Sequence, residues 1–249
     1  MPLQELSLFF PCHNEAENLE ALVADALAAL PALATTYEVI LVDDGSLDGT
    51  AAVAERIVQR HGGTVRLVRH DVNRGYGGAL RSGFAAARYD YLAYTDGDRQ
   101  FRVADLARLV DGAQETGSPV VIGYRLKRAD PPLRLIYATL YRLANRIWFG
   151  LSVRDVDCAA KLFHRDALRG ISVHSDGAFF SAELLIRLRL AGVRILEVGA
   201  PHYPRTAGSP TGARLSVITR AVRDFWSLRI GLWVNRSRTL ARGRALLNK

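Results

Sequence analysis

A mostly parallel α/β sheet flanked by helices, built as a single domain with an amphipathic C-terminal helix, is the fold the sequence predicts. Three observations predict it. From residue 5 to 123, short apolar runs bounded by turn residues alternate with helix-period segments, and runs that are apolar throughout belong to strands buried on both faces. The polar clusters PCHNE, DDGS and DGDRQ stand at the ends of three such runs, where open α/β sheets gather their ligands. The 249 residues, 49% hydrophobic and 23% charged, suffice for one large core.

ELSLFFP reads as the first strand, with a helix from about Glu15, and YEVILVDDG as the second, with a helix from about Asp48. TVRLVRH, DYLAYTDGD and PVVIGY follow as strands. NRGYGGALRSG, with Gly75, Gly77, Gly78 and Gly83, does not follow the first strand, so it is no dinucleotide fingerprint. It reads as a strand-to-helix turn that either lets backbone approach a ligand closely or simply starts a helix. After Tyr124 the rhythm changes. The loop KRADPPLR leads to a long amphipathic helix with Leu133, Ile136, Tyr137, Leu140, Ala144, Ile147 and Trp148 on one face and Arg134, Arg142 and Arg146 on the other. RDVDCAAKLF, a helix around 179–191, the strand RILEVGA and the loop HYPRTAGSPTG come next, the last a candidate mobile lid. The expected organisation is one domain over residues 1–212 and a basic amphipathic extension over 213–249.

Composition excludes disordered, collagen-like and disulfide-scaffold classes. Two cysteines, Cys12 and Cys158, read as buried thiols in a reducing compartment. No apolar run reaches the roughly 20 residues that cross a bilayer, and no signal-like segment opens the sequence. Residues 220–249 hold eight of the 33 basic residues (Arg220, Arg223, Arg229, Arg236, Arg238, Arg242, Arg244 and Lys249) against one acid, Asp224. The remaining 219 residues are almost neutral, 25 bases against 24 acids, so the body is no nucleic-acid surface. Leu215, Ile218, Val222, Phe225, Trp226 and Trp233 recur at helical spacing near this tail. That pattern fits either a helix lying in a membrane interface or one docked on its own domain with a solvated basic end.

Asp96-Gly97-Asp98 ends an apolar strand, and two carboxylates two residues apart can share one hard divalent cation, with the Gln100 oxygen nearby. Mg2+ or Mn2+ held this way with substrate phosphates would stabilise a leaving diphosphate. A plain turn needs the same residue types. Asp43 and Asp44 can accept from a nucleobase or ribose, or cap the next helix. In the PCHNE turn, Glu15 stands at a helix start and His13 faces the cleft, as ligand contact or as a structural hydrogen-bonding residue.

PCHNE, VDDGSLDGT, NRGYGGALRSGF and TDGDRQF, in this order and spacing, resemble an inverting family 2 glycosyltransferase of the Rossmann-like GT-A fold. With RDVDCAAKLFHRDAL the chain is most similar to the dolichol-phosphate mannosyltransferase and polyprenyl-phosphate glucosyltransferase branch. The resemblance implies that Pro11, His13, Glu15, Val42 and Asp44 line the nucleoside site, and that Asp96, Gly97, Asp98 and Gln100 surround metal and diphosphate. More loosely, it implies that Arg125, Arg205 and Ser209 hold the donor diphosphate and the acceptor phosphate. Arg99 before Gln100, and Tyr124 where relatives often have Ser, depart from the family pattern.

The expected activity is metal-dependent, inverting transfer of a hexose from a UDP- or GDP-hexose to polyprenyl phosphate by a cytoplasmic enzyme peripheral to the inner membrane face. A lipid phosphate is already anionic near neutral pH, its second pKa being about 6. No general base is then required, and arginines (Arg125, Arg128, Arg134, Arg205) neutralise and align. A soluble saccharide or small-molecule hydroxyl acceptor is the alternative. It would need a carboxylate base, Asp157 first and Asp155 next. A non-catalytic binding or scaffolding protein is disfavoured by the intact Asp96, Asp98 and Gln100. Homo-oligomerisation and the choice between Mg2+ and Mn2+ stay open.

Overall fold

The computed structural model describes residues 1–126, 132–204 and 215–247, those at 132–136, 215 and 235–247 by backbone alone. The strands are β1 (Leu3–Cys12), β2 (Ala34–Asp43), β3 (Val65–Arg69), β4 (Tyr91–Tyr94), β5 (Val120–Arg125), β6 (Lys161–His164) and β7 (Ile195–Ala200). They form one sheet in the order β3-β2-β1-β4-β6-β5-β7. All pairings are parallel except those of β6, which runs antiparallel to both β4 and β5. The helices are α1 (Ala16–Leu33), α2 (Thr50–His61), α3 (Tyr76–Ala86), α4 (Ala107–Thr116), α5 (Pro132–Phe149), α6 (Phe180–Leu190) and α7 (Leu215–Leu247).

Leu6 to Cys12 of β1 are buried without alternation, as expected for a central strand covered on both faces. Leu19, Leu22, Val23 and Ala26 of α1 are buried in the same core. Beside β1, Phe9 stacks on Tyr94 with centroids 5.2 Å apart and meets Phe84 edge to face at 5.0 Å. Gly83 is required there: a Cβ at this position would lie 2.2 Å from the Phe9 ring. Buried Glu38 takes two bonds from Arg66, at 2.9 and 2.7 Å, and one from Ser7 Oγ at 2.7 Å, which satisfies its charge inside the sheet.

The apolar face read from the sequence of α5 turns in large part outward. Tyr137, Leu140, Ile147 and Trp148 are exposed, Ile147 at 67%, whereas Asn145 and Phe149 are buried. α7 is two-faced as well. Phe225 and Leu228 join the core, Phe225 meeting Phe149 at 4.8 Å and Phe179 at 5.8 Å between centroids. Ile218, Val222, Trp226, Ile230 and Trp233, spaced four, four, four and three apart, face outward. The N-terminal half of α7 therefore docks on the body through one face and leaves a tryptophan-bearing stripe on the other. No helix among the described residues is long and apolar enough to cross a membrane.

Candidate active site

β1 lies between β2 and β4, so the three polar strand ends meet at one edge of the sheet. The register pairs Cys12 with Asp43, and Asp44 N donates to Cys12 O at 2.9 Å. The chain runs outward from β1 to β3 and returns to β4 on the opposite side of β1, the arrangement that opens a ligand crevice at the strand ends.

The first two loops are sewn together. Asn14, in the left-handed region at φ +58°, donates its N–H to Ser46 Oγ at 2.9 Å and accepts from Leu47 N through Oδ1 at 2.9 Å. Glu15 N donates to Thr50 Oγ1 at 2.9 Å and Ala16 N to Asp48 Oδ2 at 3.3 Å, so the first amides of α1 are capped from the loop after β2. Asp48 also accepts from Thr50 N at 2.9 Å. Partial burial opposes its charge, but the bonds from Thr50 and Ala16 win and hold its carboxyl below the usual range. Glu15 Oε2 accepts from Asn18 Nδ2 at 2.6 Å. Pro11 and Val42 are buried register partners across β1 and β2, while His13 is exposed with Nδ1 3.0 Å from the Asp44 carbonyl.

Asp44 is buried. Its Oδ1 accepts from Arg74 N at 2.8 Å and lies 2.7 Å from His70 Nδ1, while His70 Nε2 lies 2.8 Å from Ser82 Oγ. A neutral imidazole meets both partners by donating from Nδ1 and accepting at Nε2. Asp44 thus anchors the loop after β3. His70 and Asn73, the latter with Nδ2 3.2 Å from His13 Nδ1, are site residues that sequence reasoning missed. The rule that picked the other loops, polar residues just past a strand, would have found His70 after β3.

At the end of β4, Gly97 lies against the end of β1, where a Cβ would be 3.3 Å from both Cys12 Sγ and Pro11 O. Asp98 is 6% exposed and accepts from Gln100 N at 3.0 Å through Oδ1. Asp96 Oδ1 accepts from the Tyr76 hydroxyl at 2.9 Å. Burial, then the Asp96 charge, pushes the Tyr76 phenol well above its ordinary range and keeps it a donor. Arg99, between Asp98 and Gln100, adopts φ +58° and pairs with Asp25 at 2.8 Å. A non-glycine residue in that region, inside a carboxylate loop, is the kind of backbone strain that collects at functional sites. Gln100 reaches Tyr203 O through Nε2 at 3.4 Å and its carbonyl accepts Tyr203 N at 3.0 Å, tying this loop to the start of the candidate lid.

Among the described residues no three His, Cys, Asp or Glu side chains converge as a metal cage. The donor set is instead a carboxylate pair, Asp96 oriented by the Tyr76 hydroxyl and Asp98 by Gln100 N–H. That set fits a hard divalent cation completed by phosphate oxygens.

Arg125, at the end of β5, gives its Nε and Nη2 to the Asp155 carboxylate at 2.6 and 2.8 Å, and both side chains are buried. Burial works against the guanidinium, but Asp155 holds its pKa above the ordinary arginine value. Asp157 is exposed, and its charge bears on Tyr76, Tyr141 and Lys161. Lys161 is 1% exposed and bonds the Cys158 carbonyl, with Nζ 5.5 Å from the Tyr94 ring centroid. Burial opposes its charge, yet Tyr94, Cys158 and Asp157 keep its pKa raised, so it stays an ammonium. The two cysteines are buried thiols, Cys158 pushed up to about 12 by burial first. Arg128, Arg205 and Ser209 lie outside the described residues, as does the Arg134 side chain.

Residues 7–172 match the glycosyl transferase family 2 model. The chain is a family 2 glycosyltransferase. Human dolichyl-phosphate beta-glucosyltransferase is 32% identical over 227 residues, 84% of this chain and 70% of the relative. Dodecaprenyl-phosphate galacturonate synthase of Rhizobium johnstonii is 31% identical over 211 residues, 82% of this chain and 60% of the relative. The transferase thus has relatives named for transfer to polyprenyl phosphates. Its fold resembles that of Mycobacterium tuberculosis glucosyl-3-phosphoglycerate synthase, crystallised with Mn2+ and UDP-glucose, at a TM-score of 0.69 and 23% identity over 92% of this chain and 79% of that one.

Proposed function

We propose that this transferase moves a hexose with inversion from a UDP- or GDP-hexose to polyprenyl phosphate, using Mg2+ or Mn2+, while resting on the cytoplasmic face of a membrane. The observation that carries the reading is the Asp96 and Asp98 pair at the β4 end of a body whose α5 and α7 turn apolar, tryptophan-bearing stripes outward. The relatives named for dolichyl and dodecaprenyl phosphate support the acceptor. The solved structures with UDP and Mn2+ or Mg2+ support the donor and cation.

Asp96 and Asp98, with Gln100 beside them, would hold the cation, and Pro11, His13, Glu15, Val42 and Asp44 the nucleoside. A bound divalent ion supplies positive charge to the leaving diphosphate. The chain's own work is to neutralise and align. Arg125, its fork fixed by Asp155, contributes a stationary positive charge at the β5 end, and Arg205 and Ser209 would meet phosphate from the later loop. The stripes of Tyr137, Leu140, Ile147 and Trp148 and of Ile218, Val222, Trp226, Ile230 and Trp233 would enter the headgroup layer, with Arg223 and Arg229 drawing anionic lipid.

The exposure of Asp157, whose charge reaches the Tyr76 phenol beside Asp96, favours the second reading, a hydroxyl acceptor with Asp157 as base. Asp157→Asn separates the two. With polyprenyl phosphate as acceptor, kcat at saturation is retained and KM for the lipid rises several-fold. Loss of kcat at saturating lipid phosphate would overturn the base-free mechanism, and transfer confined to saccharide hydroxyls would replace the acceptor.

A further inference from the structure

Asp176 joins three segments of the chain. Its carbonyl accepts Gly77 N at 2.8 Å, its Oδ1 accepts from Arg81 Nη1 at 2.8 Å, and its Oδ2 lies 3.5 Å from Arg220 Nη2 on α7. The segments touch backbone to backbone. A Cβ at Gly75, where φ is +84°, would lie 2.6 Å from Asp176 O, and one at Gly77 would lie 2.6 Å from Ser175 O. A Cβ at Gly177 would lie 3.3 Å from Arg220 Cδ. The glycines of NRGYGG thus seat the start of α3 on the 175–177 backbone, and the Arg220 side chain reaches that backbone from α7. Between Gly75 and Gly77 stands Tyr76, whose hydroxyl donates to Asp96 Oδ1.

We propose that Tyr76 is a positioning residue for Asp96, and that Asp176 and Arg220 couple the seating of α7 to it, so that docking of α7 sets how well the carboxylate pair binds a divalent cation. The inference rests on the reading of Asp96 and Asp98 as cation ligands. A carboxylate with one oxygen held by a fixed donor presents its other oxygen in a defined direction, and loss of such a donor weakens metal binding. The glycine contacts make the position of Tyr76 follow that of Asp176, because no side chain lies between them to absorb a shift. Arg220 lies on the helix that bears the outward stripe, so a lipid surface engaging α7 would be felt at the cation site.

Mn2+ binding by the full chain in the presence of UDP or GDP, followed by electron paramagnetic resonance, tests this without turnover. Tyr76→Phe, which keeps the ring, weakens Mn2+ binding about tenfold. Arg220→Gln and Asp176→Asn weaken it about two- to threefold, as befits a part-exposed ion pair, and Arg220→Lys restores most of the loss. In the Tyr76→Phe background Arg220→Gln adds nothing further, since the path to Asp96 is already cut. Thermal melts confirm that each variant is folded. Unchanged Mn2+ affinity in Tyr76→Phe would overturn the positioning role. An equal loss from Arg220→Gln in both backgrounds would overturn the coupling. A wild-type chain that binds no Mn2+ with either nucleotide would remove the cation reading, and this proposal with it.

Discussion

The Trp148 and Trp226 rings meet edge to face, 5.0 Å apart at their centroids and 69° between planes. This contact joins the outward stripes of α5 and α7 into one surface, and Arg229 stands over Trp148 at 5.7 Å. Tryptophan beside arginine on an exposed apolar face suits the headgroup layer of an anionic bilayer.

Trp226→Asp and Ile230→Asp each lower binding to phosphatidylglycerol-containing vesicles by about tenfold or more, since each removes apolar area from the interface. In Ile230→Asp the melting temperature shifts little, since the side chain is 58% exposed, whereas Trp226→Asp also loses the ring contacts with Trp148 and Phe225 and melts lower. Vesicle co-sedimentation checks this, and unchanged sedimentation would remove the face from the membrane contact.

Phe225 precedes Trp226 and is buried against Phe149 and Phe179. Phe225→Ala destabilises the fold by about 3 kcal/mol, as expected for truncating a buried phenylalanine. Urea unfolding measures it. A loss near zero would mean that α7 is not part of the cooperative core.

The contrast between these neighbours marks what could be read from the sequence. The parallel half of the sheet was legible because its runs, such as VILV and LFF, are apolar without alternation, and only burial on both faces requires that. The convergence of Cys12, Asp43 and Asp96 at one edge followed from their places at the carboxyl ends of parallel strands. β6 was not legible. It is four residues long, begins with a lysine, and is inserted antiparallel between β4 and β5. Burying Lys161 depends on Tyr94 and the Cys158 carbonyl, contacts that no local pattern encodes. Tyr76 escaped for the same reason, since its partner Asp96 is 20 residues away. In α7, helical spacing located the apolar positions, but which of them face the body is decided by Phe149 and Phe179.

Arg125 and Asp155 are buried and bidentate, so removing one partner strands a charge. Asp155→Ala costs about 3 kcal/mol of stability, and Arg125→Met with Asp155→Leu recovers most of it. Chemical denaturation of the single and double variants checks this. If the single variant is as stable as wild type while transfer is lost, Asp155 acts in the reaction and not in holding Arg125.

Glu183 accepts from Ser175 N at 2.9 Å and Oγ at 2.6 Å and from Arg187 Nε at 2.7 Å. Burial opposes its charge, but these bonds prevail and hold its carboxyl below the usual range. A carboxylate lowered on folding adds stability above its unfolded pKa of about 4.3 and loses it as pH falls through the native value. The stability gap between wild type and Glu183→Gln is therefore full near pH 7 and shrinks below about pH 4. Urea midpoints for both proteins across this range check the sign, and a gap that widens in acid would contradict it.

Transfer from a nucleotide sugar to polyprenyl phosphate is proposed to take place at the Asp96 and Asp98 pair. The most direct measurement is transfer of radiolabelled sugar from a panel of UDP- and GDP-hexoses into a butanol-extractable lipid, with and without added polyprenyl phosphate and Mg2+ or Mn2+. The expected result is lipid label from one donor that requires both the lipid phosphate and the cation. Asp98→Ala lowers this label on the order of a thousandfold. Label that persists in Asp98→Ala, or metal-dependent donor hydrolysis with none of the sugar reaching lipid, would contradict the proposal.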